Sequence, residues 1–280
     1  MIPASFDYEV AESPEHAIAL LGENEEAKLL AGGHSLLPAM RLRLARPSLL
    51  VDIGRLEELS YVRDDGDRVA IGALTRHKDV CDAALLREQC PIMAETAGLI
   101  GDPQVRHRGT IGGSLSHGDP ASDLPAVILA LDANLVIRGA AGDRTVPASQ
   151  FFTGVFACAV GPSEMLVEIR VPKLGPSSGS TYVKMQRRAQ DWATVAVAAV
   201  VERSNGGVSK AAIGLTNMGG TPLRATAAED ALAGGASIDE AAALAAEGTE
   251  PSSDHAASAE FRRHLVRVLT RRALERAMAA

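Results

Sequence analysis

Two glycine pairs, Gly32-Gly33 and Gly112-Gly113, stand in separated stretches reading AGGHSLLP (Ala31 to Pro38) and RHRGTIGGSLSHGDPASDLP (Arg106 to Pro125). Glycine has no side chain, so a turn built on two of them lets backbone N–H groups approach phosphate oxygens without a lysine. In the first stretch Ala31, Gly32, Gly33, His34, Ser35 and Leu36 join a short apolar run, Ala27 to Ala31, to a helix-like segment, Leu36 to Leu44. Ser35 is placed as its N-cap. Strand, glycine turn and helix start would direct free amides at one point, where a diphosphate fits. In the second stretch Gly109, Gly112 and Gly113 free the backbone around Ile111, while Thr110, Ser114 and Ser116 add hydroxyls. Asp123 adds a carboxylate that can accept from sugar hydroxyls or an adenine. Read singly, the first turn is equally an ordinary strand-to-helix connection and the second a glycine-rich hairpin. Neither a G-x-G-x-x-G after a strand nor a G-x-x-x-x-G-K-[ST] occurs, so the chain is neither a plain dinucleotide fold nor a P-loop protein.

Around these turns the pattern reads as follows. Phe6 to Val10 is a strand, and Ser13-Pro14 starts a helix to about Gly22. Leu49 to Gly54 is a buried strand. A second unit begins near Leu56 with a hairpin about Asp64-Asp65-Gly66-Asp67. Helices are expected at Thr75 to Cys81, Pro91 to Leu99 and Leu124 to Leu131, and strands at Asn134 to Arg138 and Met165 to Val171. The segment PKLGPSSG, Pro172 to Gly179, marks a boundary. Beyond it Thr181 to Gln186, Thr194 to Glu202 and Val208 to Asn217 form a three-stranded antiparallel sheet, the last two joined by Ser204-Asn205-Gly206-Gly207. Three helices follow, one after Pro222, one from Ser237 with a Ser237/Glu240 capping box, and one from about Ala259. In the last, Phe261, Leu265, Val268 and Leu269 make an apolar face, and Arg263, Arg267 and Arg271 a basic one. That basic face is either solvated or a dock for an acidic partner.

Composition narrows the class. At 280 residues and 46% hydrophobic content the chain suits two or three packed units. A net charge of −7 argues against a nucleic-acid partner. The longest apolar run, Trp192 to Val201, is too short to span a bilayer, and the N-terminus lacks a signal core, which points to the cytoplasm. Cys81, Cys90 and Cys158 have no C-x-x-C spacing, so neither a four-cysteine iron–sulfur cluster nor a structural zinc is expected on this chain.

Four stretches together resemble the FAD-binding medium subunits of molybdenum hydroxylases, especially the aerobic carbon monoxide dehydrogenase type. They are Ala31 to Gly54, Ile71 to Val80 (IGALTRHKDV), Ile100 to Ala126, and Lys184 to Ala193 (KMQRRAQDWA). The resemblance covers essentially the whole chain, and AGGHS followed by TIGG is its specific part. It implies an α+β fold in which two small α/β subdomains, 1–55 and 56–176, form a PCMH-type FAD-binding domain. Residues 177–280 would be a C-terminal sheet with helices. It further implies non-covalent FAD, with the molybdenum cofactor and iron–sulfur clusters on a large and a small partner subunit in a dimer of heterotrimers. The external acceptor would be quinone, oxygen or NAD. By similarity Ile100 and Leu166 touch the flavin ring, Lys184 lies near its polar edge and Trp192 shields one face. Ser114 departs from the asparagine of the related xanthine dehydrogenases. Two rivals stay open here, a self-sufficient flavin oxidase and a scaffold that has lost its flavin.

Overall fold

The computed structural model describes residues 2–204 and 207–280. The turn expected at Ser204 to Gly207 includes Asn205 and Gly206, which lie outside the described residues. The first unit is a parallel sheet of β1 (Asp7–Val10), β2 (Lys28–Leu30) and β3 (Leu49–Asp52) in the order β1-β3-β2. Parallel neighbours need crossovers. Helix α1 (Pro14–Glu23) and the short α2 (Leu36–Arg41) supply them. Ser13 caps α1 as expected, accepting the His16 amide at 3.1 Å. Helix α2 stops at Arg41, short of the expected Leu44, because Arg43 turns into the left-handed region at φ 59°.

The second unit is an antiparallel sheet in the order β4-β5-β10-β6-β7. Its strands are β4 (Val62–Asp65), β5 (Arg68–Gly72), β6 (Asn134–Gly139), β7 (Gly142–Pro147) and, after a small hairpin, β10 (Glu164–Pro172). Helices α3 (His77–Asp82), α4 (Ala84–Gln89), α5 (Pro91–Gly98), α6 (Pro103–Arg108), α7 (Ile111–His117) and α8 (Asp123–Ala130) lie between β5 and β6. The hairpin is α9 (Ala148–Phe151), β8 (Phe152–Gly154) and β9 (Ala157–Cys158). The sheet is apolar on both faces. Leu166, Ile169 and Val171 join the helical core, whereas Met165 and Val167 pack with Leu21 and Val51 of the first unit.

Strand β7 escaped the sequence reading because Gly142-Asp143-Arg144 looks like turn material. The stretch Arg106 to Pro125, read as a loop, contains α7 and the end of α6. Asp102 caps α6, accepting the Val105 amide at 2.9 Å, and Thr110 caps α7, so the glycines sit inside a helix start rather than in a hairpin.

The C-terminal unit corrects the expected three-stranded sheet to four. Strands β11 (Ser178–Met185), β12 (Val195–Ser204) and β13 (Gly207–Thr216) are joined by β14 (Leu223–Arg224), whose two residues are too few to show an alternation. Helices α10 (Thr226–Ala233), α11 (Ile238–Ala243) and α12 (Ala259–Ala279) complete it, with the Ser237/Glu240 capping box present. Alternation along β12 explains how the sheet is sandwiched. Val195, Val197, Ala199 and Val201 face these helices, while Ala196 and Ala198 join the core of the second unit. The buried stripe of α12 is Arg262, Val266, Leu269, Ala273 and Ala277; of the expected face Leu269 is in this stripe and Leu265 packs against the same core, while Phe261 is exposed. A buried arginine inside an apolar period had hidden that stripe.

Candidate functional site

The first glycine turn leaves the sheet at the carboxyl end of β2, where open α/β sheets present ligand sites. A Cβ at Gly32 would fall 2.8 Å from Gly109 Cα, with the Arg108 carbonyl nearer still, so this glycine lets the two turns touch. Gly33 adopts φ +77°, which glycine alone takes without strain. The carbonyls here are used, since Leu37 N donates to Gly33 O at 3.0 Å and Ala39 N to Ser35 O at 3.2 Å. The amides are not. Among the described residues, those of Gly32, Gly33, His34, Ser35 and Leu36 donate to no acceptor in the chain. Ser35 itself is helical in backbone and makes no capping bond, contrary to the N-cap expectation, which leaves its hydroxyl unpartnered among the described residues.

The second turn uses its amides differently from the expectation. Ile111 N donates to Thr75 O at 3.0 Å, Gly112 N to Ala73 O at 2.8 Å, and Gly113 N to Thr110 Oγ1 at 3.1 Å. Helix α7 is thereby stitched to the connection after β5, and Ile111 is buried in the core. Gly112 is a packing glycine, because a Cβ there would lie 2.6 Å from Ala73 O. Gly113 is exposed. A Cβ there would meet only the Thr110 hydroxyl, at 2.8 Å, and the Ala31 Cβ, at 4.0 Å, across the gap between the turns. Gly32 and Gly112 are therefore bare because backbone from elsewhere in the chain packs against them. The structure brings Ala31–Leu36 and Thr110–Ser114 together, with the hydroxyls of Ser114 and Ser116 unpartnered among the described residues.

His77 lies under this junction and was not anticipated. It is buried against the Gly109 backbone, and its Nδ1 has no partner among the described residues. Burial, then His34, Arg106 and Arg76, push its pKa down to about 4, so the ring is neutral at pH 7. Arg76 donates to the Arg108 carbonyl and braces the second turn.

Of the remaining expected residues, Asp123, Lys184 and Ile100 meet where α8 and α5 approach the edge strand β11, whereas Leu166 and Trp192 lie on β10 and on the connection from β11 to β12. Asp123 was read as an open carboxylate. It is buried instead, with its oxygens taking the Tyr182 hydroxyl at 2.8 Å and Lys184 Nζ at 2.9 Å. Burial pushes its pKa up and Lys184 opposes that. Lys184 also donates to the Leu99 carbonyl at 3.3 Å, beside half-buried Ile100. Leu166 sits in the core at 6% exposure, next to a bulge in β10. Trp192 is 57% exposed on the connection from β11 to β12, so it anchors no packing. The base of that connection is fixed, since Thr194 N donates to Met185 O at 2.8 Å and Asn217 Nδ2 to Ala193 O at 2.8 Å. Arg262 donates to Thr194 O from α12. Tyr182 was legible as a same-face neighbour of Lys184 two positions earlier, whereas nothing in the sequence pointed to Thr216 or Arg262. Among the described residues no cluster of His, Cys, Asp or Glu could hold a metal ion.

Comparison with known proteins bears on the whole chain. A family described as the FAD binding domain in molybdopterin dehydrogenase matches residues 4–174, and one described as the CO dehydrogenase flavoprotein C-terminal domain matches residues 180–277. The chain is 43% identical to the carbon monoxide dehydrogenase medium chain of Hydrogenophaga pseudoflava, over 100% of this chain and 99% of that one. It is 39% identical to the 6-hydroxypseudooxynicotine dehydrogenase complex subunit alpha of Paenarthrobacter nicotinovorans, over 99% and 96%. Among solved structures, carbon monoxide dehydrogenase from Hydrogenophaga pseudoflava superposes with a TM-score of 0.96 at 45% identity, covering 100% and 99%. Quinoline 2-oxidoreductase from Pseudomonas putida 86 gives 0.94 at 31% identity, again covering 100% and 99%.

Proposed function

The chain belongs to the FAD-binding medium subunits of molybdenum hydroxylases, of the carbon monoxide dehydrogenase type, and on that premise we propose that it passes electrons from a partner's iron–sulfur clusters to an external acceptor. The observation that carries this reading is the unbroken run of undonated amides from Gly32 to Leu36, facing the Thr110–Ser114 turn across a gap that a Cβ at Gly113 would enter. A diphosphate needs donors that are close, convergent and not already spent, and these residues fit it. Ala31 to Leu36 would hold the diphosphate, with Thr110, Gly113, Ser114 and Ser116 opposite. Ile111 and Gly112 would act from behind by fixing α7. Bound there, FAD supplies a ring that accepts electrons singly or in pairs.

The chain's own task is to bind and orient. Lys184 would stand near the polar edge of the ring, Ile100 and exposed Trp192 would flank it, and Leu166 would support it from the core. Asp123 would act mainly through Lys184, because both its oxygens already have partners. The relatives named for carbon monoxide, 6-hydroxypseudooxynicotine and quinoline share this subunit, which supports placing substrate chemistry on another polypeptide. The partners we propose are a small iron–sulfur subunit and a large molybdenum subunit in a dimer of heterotrimers, working in the cytoplasm. Quinone, oxygen and NAD are the candidate acceptors. We divide the chain at 1–55, 56–176 and 177–280.

Isolation from the native source under mild conditions tests the reading. The expected result is about one FAD per chain together with a molybdenum-bearing and an iron–sulfur polypeptide. A colourless chain that purifies alone would refute it.

A further inference from the structure

The Asp123–Lys184 pair joins the second unit to the C-terminal sheet, and each side chain is only 3% exposed. A buried pair of this kind depends on the other hydrogen bonds that satisfy it. Lys184 has three N–H donors, of which one goes to Asp123 and one to the Leu99 carbonyl. No acceptor for the third occurs among the described residues. Tyr182 lies behind the pair, fully buried on the same face of β11, with its hydroxyl 2.8 Å from Asp123 Oδ1 and 3.1 Å from Thr216 Oγ1. The proposed function uses neither Tyr182 nor Thr216.

We infer that Tyr182, backed by Thr216, is a positioning residue for Lys184, holding the Asp123 carboxylate ionised and oriented so that the ammonium keeps one N–H for the flavin. The inference rests on the reading that Lys184 stands at the polar edge of FAD. The groups facing Asp123 are few. Among the described residues they are Lys184 and Tyr182 from β11 and, from the segment before α8, Asp119, whose charge works against ionisation, while Thr216 of β13 meets the Tyr182 hydroxyl rather than Asp123. On the far side of Tyr182, Glu95 of α5 accepts the Tyr182 amide at 3.3 Å and the Thr181 hydroxyl at 3.2 Å, so it is occupied by β11 itself. Arg276 of α12 acts on Glu95 from outside this group.

Tyr182→Phe deletes one donor to the carboxylate and almost no volume. Asp123 then takes up a proton more readily as pH falls, and Lys184 loses its neutralising partner. A flavin beside it meets a more positive field and becomes easier to reduce. The measurement is the flavin midpoint potential of the assembled, FAD-loaded complex, variant against wild type, from about pH 9 to about pH 6. The expected difference is near zero at the alkaline end and grows upward as pH falls, with FAD content unchanged. Thr216→Val should give a smaller shift of the same sign, because it removes only the group that orients the phenol. A difference that is absent, or constant with pH, in a flavin-replete variant overturns this inference alone. A wild-type complex without FAD overturns the cofactor reading and this inference with it.

Discussion

Neighbouring glycines at the start of α7 should respond in opposite ways to the same added methyl group. At Gly112 the new Cβ would stand 2.6 Å from the Ala73 carbonyl that its own amide binds at 2.8 Å. Backbone cannot swing aside as a side chain can, so Gly112→Ala should cost about 3 kcal/mol, combining overpacking with a strained buried hydrogen bond. At Gly113 the Cβ would meet only the Thr110 hydroxyl, at 2.8 Å. Replacing glycine by alanine in a helix contributes about 1 kcal/mol, and disturbing the Thr110 cap costs about as much, so stability should barely change. The methyl group would nevertheless occupy the gap toward Ala31. Losing one charge-assisted bond to the diphosphate, about 1.5–3 kcal/mol, weakens FAD binding by about tenfold to a hundredfold. Thermal unfolding of the flavin-free chain and FAD titration by fluorescence quenching read the two effects separately. Wild-type affinity in Gly113→Ala, or an unshifted melting temperature in Gly112→Ala, would refute the reasoning.

Other perturbations test the surroundings. His77 is neutral when buried, with a folded pKa of about 4 against 6.5 for the free ring, so its contribution is complete above pH 6.5 and is lost as pH falls toward 4. The loss should reach about 3 kcal/mol, and His77→Leu should flatten that part of the stability–pH curve in denaturant titrations. Arg262→Met removes the buried guanidinium held by Thr194 O and Asp254. It should destabilise the chain by about 2–3 kcal/mol and shift the emission of Trp192, the single tryptophan, by loosening its connection. Cys90, whose thiol is pushed up to about 12 by burial, should resist alkylation at neutral pH in the folded chain, and rapid labelling would show that the core around it opens.

What could be read from residues alone was mostly what repeats or caps. The apolar runs within Thr194 to Glu202 and Met165 to Val171, the Ser13 and Ser237 caps and the Asp64 to Asp67 hairpin all have local causes. The individual strands and helices around the glycine turns follow from these, whereas the α+β architecture is what the family resemblance implies. Local patterns could not reveal that Thr110 caps a helix through Gly113, because a glycine pair signals loop more strongly than helix. Nor could they reveal that Gly32 and Gly112 are bare to admit backbone, since each partner lies far away in sequence, at Gly109 and Ala73. Asp123 shows the same limit. Its acidity is written in the chain, but its capture by Tyr182 and Lys184 depends on how β11 docks against α8.

The central claim is that the amides from Gly32 to Leu36 grip a diphosphate, and a crystal structure of the FAD-loaded complex tests it most directly. The account predicts diphosphate oxygens within about 2.7–3.2 Å of several of those nitrogens, with the Thr110–Ser114 turn closing the opposite side. A diphosphate seated elsewhere, with those amides turned to solvent, would contradict it.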